Sequence, residues 1–465
     1  MKNYDVVVIG AGPGGYVAAI RAAQRGAKTA VVERTYLGGV CLNVGCIPTK
    51  TLIHTAELYH KLQQADEFGL LVKDVKLDLK RLLKRKDKVV GINTGGIEAL
   101  FKANGIDVIT GEATIPAPGM VHVGKEKLQA KNIIIATGGR PAVLPGLAFD
   151  GKIVIGSTDA LKMTRVPKRV AVIGAGALGA EFACIWNAFG ATVTLIEMMP
   201  TVLPRSDEEV SKQIERIFKK KGMDVRTGTK VAKLERSKSG AKLQLEGKHA
   251  GVVEADVVLV AIGLQCNSEL VADNPKLGIK LNKRGGIHVN ERMETDVPGI
   301  YAVGDVTDRT WLAHGASSEG IVAATNCTGG SKTMDYRVLP ACNFTSPELA
   351  SVGLTEKEAN EKGYTVKTGR FMFAGNGRAH TIGSTDGMVK IVGDAATDEI
   401  LGVHILGPEA GEIIATAALA MSMEATVAEI VNTIHTHPTL SEVMLEAAED
   451  YYGMAIHARP SKKRS

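Results

Sequence analysis

No apolar run in this 465-residue sequence approaches the roughly 18 residues needed to cross a bilayer, so no membrane span is expected. Cysteine is scarce, at six residues, too few for a chain this long to be a disulfide scaffold. Four of the six, Cys184, Cys266, Cys327 and Cys342, are scattered without metal-ligand spacing. They read as core thiols, and no metal site is expected. Aromatics amount to 4%, and the two basic segments, 80–88 and 461–465, contain none. Those segments read as a solvated helix face and a chain end, not as nucleic-acid contacts. Charge of one sign is also lacking: the net +6 comes from interspersed Lys and Arg. The first strand begins almost at once, which leaves no room for a leader peptide, and a cytoplasmic protein is expected. With 45% hydrophobic and 23% charged residues, the chain has a soluble globular balance and a length suited to roughly three domains.

Glycine is what the chain has in excess. Its 52 residues exceed the usual share of about 7%, as expected where backbone must repeatedly approach phosphates. Residues 4–10 read as a buried parallel strand running into Gly10-Ala11-Gly12-Pro13-Gly14-Gly15. An Ala-rich helix to about Gly26 and a strand over 28–32 ending at Glu33 complete a βαβ unit. This is the dinucleotide fingerprint in the context it requires. Gly10 permits the tight turn, Gly12 the close approach of a pyrophosphate, and Gly15 the packing of helix on strand. Pro13 and Gly14 open the helix whose free N–H groups face the phosphates, and Glu33 can accept from a ribose.

The pattern returns. A strand over 169–173 leads into Gly174-Ala175-Gly176-Ala177-Leu178-Gly179, a helix over 181–189, and a strand over 192–196 ending at Glu197. The acidic residue follows the first glycine by 23 positions in both copies (33 − 10 and 197 − 174). One such motif is weak; two in full context at equal spacing imply two adenine dinucleotides. Glu197 would bond the 2′-hydroxyl of NAD and repel the 2′-phosphate of NADP. Met198, Met199 and Pro200 follow it without an Arg, so NAD is expected.

Cys41 and Cys46 come directly after the first unit, in Gly38-Gly39-Val40-Cys41-Leu42-Asn43-Val44-Gly45-Cys46-Ile47-Pro48-Thr49-Lys50. Five residues of ideal helix rise about 7.5 Å, whereas bridged cysteines rarely have Cα atoms more than about 7 Å apart. A Cys41–Cys46 bridge therefore needs bent backbone, which Gly45 permits. A reducible pair beside a redox cofactor is a site for moving electrons, so the first nucleotide site should hold a flavin, FAD, and the second the exchangeable nicotinamide.

On these motifs the chain resembles the pyridine nucleotide–disulfide oxidoreductases along essentially its whole length, and most of all their lipoamide-oxidising branch. Gly38–Lys50 matches the redox motif, Ile134-Ile135-Ala136-Thr137-Gly138-Gly139 the turn closing the flavin domain, and 295–305, ending Gly304-Asp305, the second flavin motif. Leu312-Ala313-His314 follows, and His435-Thr436-His437-Pro438-Thr439-Leu440-Ser441-Glu442 resembles the catalytic His–Glu motif. Some positions depart from the pattern: Val40 for Thr, Thr49 for Ser, and Gly263-Leu264-Gln265-Cys266-Asn267 where the family generally has Gly-Arg-x-Pro-Asn. The lost Arg bears on the contacts around NAD.

The resemblance implies an α/β fold of two Rossmann-like dinucleotide-binding domains and a C-terminal α+β dimerisation domain. The expected domains are FAD-binding over 1–146, NAD-binding over 147–272, a central domain over 273–342 returning to the flavin side, and an interface domain over 343–465. The crossing falls at 141–145. Besides the first fingerprint and Glu33, FAD contacts are implied at Lys50, Ala113, Thr137, Gly138, Asp305, Leu312, Ala313 and His314. NAD contacts are implied at Gly174, Gly176, Gly179, Glu197, Val231 and Gly263.

The implied catalytic set is Cys41, Cys46, His437, Glu442, Lys50 and Glu181. A histidine titrates below an isolated thiol, and a carboxylate partner raises its pKa and fixes its tautomer; Glu442 would be that partner. His435 reads as a loop histidine. Dihydrolipoamide, carried on a lipoyl domain of a 2-oxo acid dehydrogenase complex or glycine-cleavage system, would give a proton to His437. Its thiolate would attack Cys41, and Cys46 would leave as thiolate. Electrons would then pass to FAD and, as hydride, to NAD+. Lys50 would pair with Glu181. His437 and Glu442 of one subunit would complete the site at the disulfide of the other, in a homodimer. A glutathione- or mercury-reducing enzyme of the same fold is the rival; Glu197 without a neighbouring Arg, and a C-terminus without a cysteine pair, oppose it. A non-catalytic subunit is a more distant alternative.

Overall fold

The computed structural model describes residues 1–143 and 146–458. Leu144 and Pro145 of the expected crossing, and the basic end at 461–465, lie outside the described residues. The chain divides into two compact units. One comprises Met1–Leu52, Asp78–Ala142 and Gly263–Asp335; the other comprises Ile53–Leu77, Val143–Ile262 and the chain from Tyr336 onward.

In the first unit Val6, Val7, Val8 and Ile9 are all buried, as in a strand covered on both faces. That strand, Lys2–Ile9, pairs in parallel with Thr29–Glu33 on one side and Glu126–Ile135 on the other. Asp107–Thr110 extends the sheet beyond Thr29–Glu33, and Ile300–Ala302 adds in parallel to the end of Glu126–Ile135. The antiparallel strands Met120–Val123 and Ala113–Ala117 complete seven strands. The helix Pro13–Gln24 packs on the helix Ala313–Cys327. Their approach is so close that a Cβ on Gly320 would lie 2.4 Å from the Gly14 carbonyl oxygen.

The second unit repeats the plan. Asp224–Arg226, Thr192–Ile196, Arg169–Ile173, Val257–Val260 and Val154–Ile155 form a parallel sheet in that order. The antiparallel meander of Thr229–Arg236, Ala241–Gly247 and Gly251–Ala255 packs Leu243, Leu245 and Val253 against that sheet's Ala171, Ile173, Val258 and Val260. The same unit contains the C-terminal antiparallel sheet, Ala341–Asn343, Glu348–Gly353, Ile400–Gly407, Met388–Asp394 and Val366–Met372. Helices Ala410–Ser422 and Glu442–Tyr451 cover it through Ile413, Ile414, Ala417, Val443, Met444 and Ala447. The architecture is the expected one.

Element ends shift by a few residues. The second fingerprint helix runs Ala177–Ala188 and so begins directly after Gly176 rather than at 181. In the C-terminal part, where apolar spacing in the sequence reads as helices over 412–423 and 426–431, the helices run Ala410–Ser422 and Val427–Asn432. Thr426 stands outside its helix as the cap, its hydroxyl accepting from the Ala428 N–H. The charged residues of the basic stretch 80–88 lie mostly on the exposed face of the helix Leu79–Ala103, but Lys86 is buried and pairs with Asp87 at 2.9 Å. Cys184 and Cys266 are buried and Cys327 and Cys342 partly so, none of them bridged. Among the described residues, no cluster suits a metal and no helix is long and apolar enough to cross a membrane.

Candidate active site

The helix Gly39–Val44 ends at Gly45, and a new helix, Cys46–Gln63, starts at the second cysteine. The break shortens the path between the cysteines, whose Cα atoms lie 4.7 Å apart and whose sulfurs are bonded. Only glycine fits at the break: a Cβ there would come within 2.9 Å of the Val40 carbonyl oxygen and 3.2 Å of the Cys41 Cα. The Thr49 hydroxyl and N–H satisfy the Gly45 carbonyl at 2.6 and 3.1 Å, a first-turn role that Thr fills as well as Ser. The segment begins on the first fingerprint turn. The Gly38 N–H donates to the Ala11 carbonyl at 2.9 Å, and a Cβ on Gly39 would lie 2.5 Å from the Gly12 Cα.

The two fingerprints are built alike. In each the first glycine has positive φ, 103° at Gly10 and 100° at Gly174, and a Cβ on the third, Gly15 or Gly179, would strike the first one's carbonyl oxygen at 2.0 or 1.9 Å. The middle glycines differ in kind. A Cβ on Gly12 meets only the Gly39 Cα, at 3.9 Å, and one on Gly176 meets nothing within 4 Å. The open space lies where a pyrophosphate must approach backbone and the helix N-terminus. Glu33 accepts from the Ala11 and Thr35 N–H groups at 2.8 Å each, and Glu197 from those of Ala175 and Met199 at 2.7 and 2.8 Å. Each carboxylate is thereby fixed beside its turn with lone pairs to spare for ribose hydroxyls.

The remaining flavin-motif residues lie in the first unit. Thr137 and Gly138 follow the strand Glu126–Ile135, Ala113 is buried at the start of Ala113–Ala117, and Leu312, Ala313 and His314 form the N-terminal end of the helix Ala313–Cys327. Asp305 is in the short helical turn Gly304–Thr307, where burial pushes its carboxyl up to about 6. Between Asp305 and His314, the buried Thr310 hydroxyl has no hydrogen-bond partner among the described residues. A chain with two open glycine cradles and an orphaned buried hydroxyl among its motif residues fits a dinucleotide cofactor.

Of the residues assigned to NAD, Val231 is partly buried where the pairing of Thr229–Arg236 is irregular. Gly263, with φ 120°, opens the last segment of the first unit, while the other five belong to the second. Leu264, at the lost Arg, lies on the two-stranded ladder of Gly139–Pro141 and Leu264–Cys266.

His437 and Glu442 meet as expected, Nδ1 to Oε1 at 2.8 Å. No motif signals the second bond, in which the Thr439 N–H donates to Glu442 Oε2 at 2.8 Å. Burial pushes the Glu442 carboxyl up, but the Thr439 N–H and the His437 ring outweigh it and hold the group below the ordinary carboxylate range. The His437 side chain is 78% exposed. His435 bonds its own loop, at the Thr433 carbonyl. Lys50 stands one turn beyond Cys46 on the helix Cys46–Gln63, and the buried Glu181 accepts from the Phe344 N–H at 3.0 Å. Cys41, Cys46 and Lys50 belong to the first unit, and Glu181, His437 and Glu442 to the second.

Comparison with known proteins agrees with this anatomy. Residues 4–320 match the pyridine nucleotide-disulphide oxidoreductase model, and residues 339–448 match the dimerisation domain of those enzymes. A dihydrolipoyl dehydrogenase of Thermus scotoductus is 48% identical over 461 residues, covering 98% of this chain and 99% of that protein. One from Bacillus subtilis is 44% identical over 473 residues, covering 98% and 99%. The solved structure of LpdA from Mycobacterium tuberculosis has a TM-score of 0.88 at 27% identity, covering 97% of this chain and 99% of that one.

Proposed function

This chain belongs to the pyridine nucleotide-disulphide oxidoreductase family, and we propose that within it the protein is a dihydrolipoyl dehydrogenase, with FAD and NAD as cofactors. One observation carries the reading: the Cys41–Cys46 disulfide begins on a helix that starts against the first nucleotide turn, through Gly38 and Gly39 on Ala11 and Gly12. On this reading FAD is held by Gly10, Gly12, Pro13, Gly14, Gly15, Glu33, Lys50, Ala113, Thr137, Gly138, Asp305, Leu312, Ala313 and His314. NAD is held by Gly174, Gly176, Gly179, Glu197, Val231 and Gly263. When bound, the flavin supplies two-electron chemistry between the cysteine pair and the nicotinamide.

The protein's own residues do the rest. A carboxylate can only accept hydrogen bonds, so the bond to Glu442 places the His437 proton on Nδ1 and leaves Nε2 free as the base. Nε2 takes the proton of a dihydrolipoamide thiol. The resulting thiolate attacks the Cys41 sulfur, and the Cys41–Cys46 bond breaks with its electron pair going to Cys46. The second substrate thiol then attacks the first substrate sulfur of the mixed disulfide, its proton passing to the departing Cys41 sulfur, which releases lipoamide and leaves Cys41 as thiol and Cys46 as thiolate. Lys50, one turn beyond Cys46, keeps positive charge next to the reduced sulfur. His437 is exposed enough to meet a substrate carried on another chain.

The working unit is a homodimer in which His437 and Glu442 of one subunit serve the disulfide of the other. The domains are those read from the sequence, 1–146, 147–272, 273–342 and 343–465. The carrier is a lipoyl domain of a 2-oxo acid dehydrogenase complex or glycine-cleavage system, and the location is cytoplasmic. Anaerobic addition of dihydrolipoamide to the yellow holoprotein tests the function. Prompt bleaching of the flavin, with NADH formed on adding NAD+, is expected. Reduction only by NADPH, with glutathione disulfide as acceptor, would transfer the protein to the rival class.

A further inference from the structure

The dipeptide Cys266–Asn267 makes an unusual number of bonds for two residues outside the assigned site. The Asn267 Nδ2 donates to the Thr137 carbonyl at 2.9 Å, and the Thr137 hydroxyl donates back to the Asn267 carbonyl at 2.7 Å. The Asn267 N–H donates to the Gly138 carbonyl at 2.9 Å. Its Oδ1 accepts from Arg140 Nη1 at 2.7 Å, and the same nitrogen donates to the Cys266 carbonyl at 3.3 Å. Next door, the buried Cys266 thiol donates to the Asp305 carbonyl at 3.3 Å. Thr137–Gly138 and Asp305 are 168 residues apart in sequence (305 − 137), and this dipeptide bonds to both.

We propose that Cys266 and Asn267 are positioning residues for the flavin: together they hold the Thr137–Gly138 turn and the Asp305 turn in fixed register, with the Cys266 S–H supplying a bond that a proline at this position cannot make. The inference rests on the reading that FAD occupies the first nucleotide site. Burial pushes the Cys266 thiol up to about 11, helped by the carboxylates of Asp308 and Asp305, so the sulfur keeps its proton at neutral pH and remains a donor. Loss of the Arg at 264 and gain of a donor at 266 thus leave the flavin-side turns still tied. Arg140, which bonds Asn267 and pairs with Glu269, anchors the tie from the neighbouring strand.

The test compares Cys266→Ala, Cys266→Ser and Asn267→Ala with the wild type, measuring the rate at which each holoprotein loses FAD on dilution and the melting temperature of each with and without added FAD. Cys266→Ala is expected to release FAD about fivefold faster and Asn267→Ala at least tenfold faster, both with a smaller FAD-induced rise in melting temperature. Cys266→Ser, which retains a donor, should stay within twofold of wild type. Equal lowering of the apo and holo melting temperatures with an unchanged release rate would reduce the dipeptide to ordinary packing and overturn the proposal, as would a Cys266→Ser variant as leaky as Cys266→Ala. Wild-type protein that never binds FAD would instead overturn the reading beneath it.

Discussion

Replacing Glu442 by Gln removes one charge and almost no volume, so its effect isolates the electrostatic part of the dyad. The carboxylate receives two donors, the His437 ring at Oε1 and the Thr439 N–H at Oε2, each at 2.8 Å. An amide has one accepting oxygen. If that oxygen faces His437, the amide NH2 opposes the Thr439 N–H; if it faces Thr439, the NH2 points at Nδ1 and the ring must switch tautomer, placing its proton on Nε2, where the base is needed. Both arrangements lose a charge-assisted bond worth about 1.5–3 kcal/mol. At about 1.4 kcal/mol per tenfold, the lipoamide-dependent rate should fall roughly 10- to 150-fold. NADH-driven reduction of ferricyanide by the same holoprotein, which bypasses thiol exchange, should change less than twofold. Stopped-flow reduction of the flavin by dihydrolipoamide measures the affected step directly. A Glu442→Gln enzyme within threefold of wild type in that step would refute the assignment of His437 as a base oriented by Glu442.

Gly176→Ala should fold with an unchanged melting temperature, since its Cβ meets nothing, yet weaken NADH binding tenfold or more by titration. Gly179→Ala, whose Cβ would fall 1.9 Å from the Gly174 carbonyl oxygen, should instead destabilise the fold by about 1–3 kcal/mol in urea denaturation. Lys390→Met leaves Asp207, Glu209 and Glu356 around a vacated ammonium that lay 2.9, 3.2 and 2.7 Å from them. With Lys390 and Asp207 each only 2% exposed, the loss should be about 3–5 kcal/mol at pH 8 and shrink as acid neutralises Asp207, since Glu209 and Glu356 keep Arg370 as a partner. Burial, with Glu409, Glu57 and Glu412 nearby, raises the Glu348 carboxyl to about 7. A group raised in the folded state stabilises most below its unfolded pKa, and that contribution disappears as pH rises through 7. Glu348→Gln should therefore melt higher than wild type at pH 8.5 and no higher at pH 4, below the ordinary carboxylate value of 4.5.

Much of this was legible in the chain because it depends on local geometry. Glycine triplets at Gly10-Gly12-Gly15 and Gly174-Gly176-Gly179 specify strand, turn and helix together, since each glycine answers a contact made within a few residues of it. The Cys41–Cys46 pair with Gly45 between them likewise announces a helix break. Helix ends were less legible. From the sequence Thr426 reads as helical although its hydroxyl caps the helix from outside, and a cap differs from a first helical residue only in where its side chain turns. The Cys266–Asn267 ties were not visible at all, because their partners at Thr137 and Asp305 lie 130 residues before Asn267 and 39 after Cys266.

By itself, then, the order of residues determined the parts: two nucleotide turns, a redox-active pair and a His–Glu motif, each formed by neighbours whose spacing their own stereochemistry fixes. Only the tertiary structure decided what those parts are fastened to. It set the Cys41 helix on the Gly12 turn, gave Glu442 its second donor, and closed the buried ion cluster of Asp207 and Lys390, 183 residues apart. Such contacts form when packing brings distant segments together and excludes water between them, and no short stretch of sequence contains both ends of the bond.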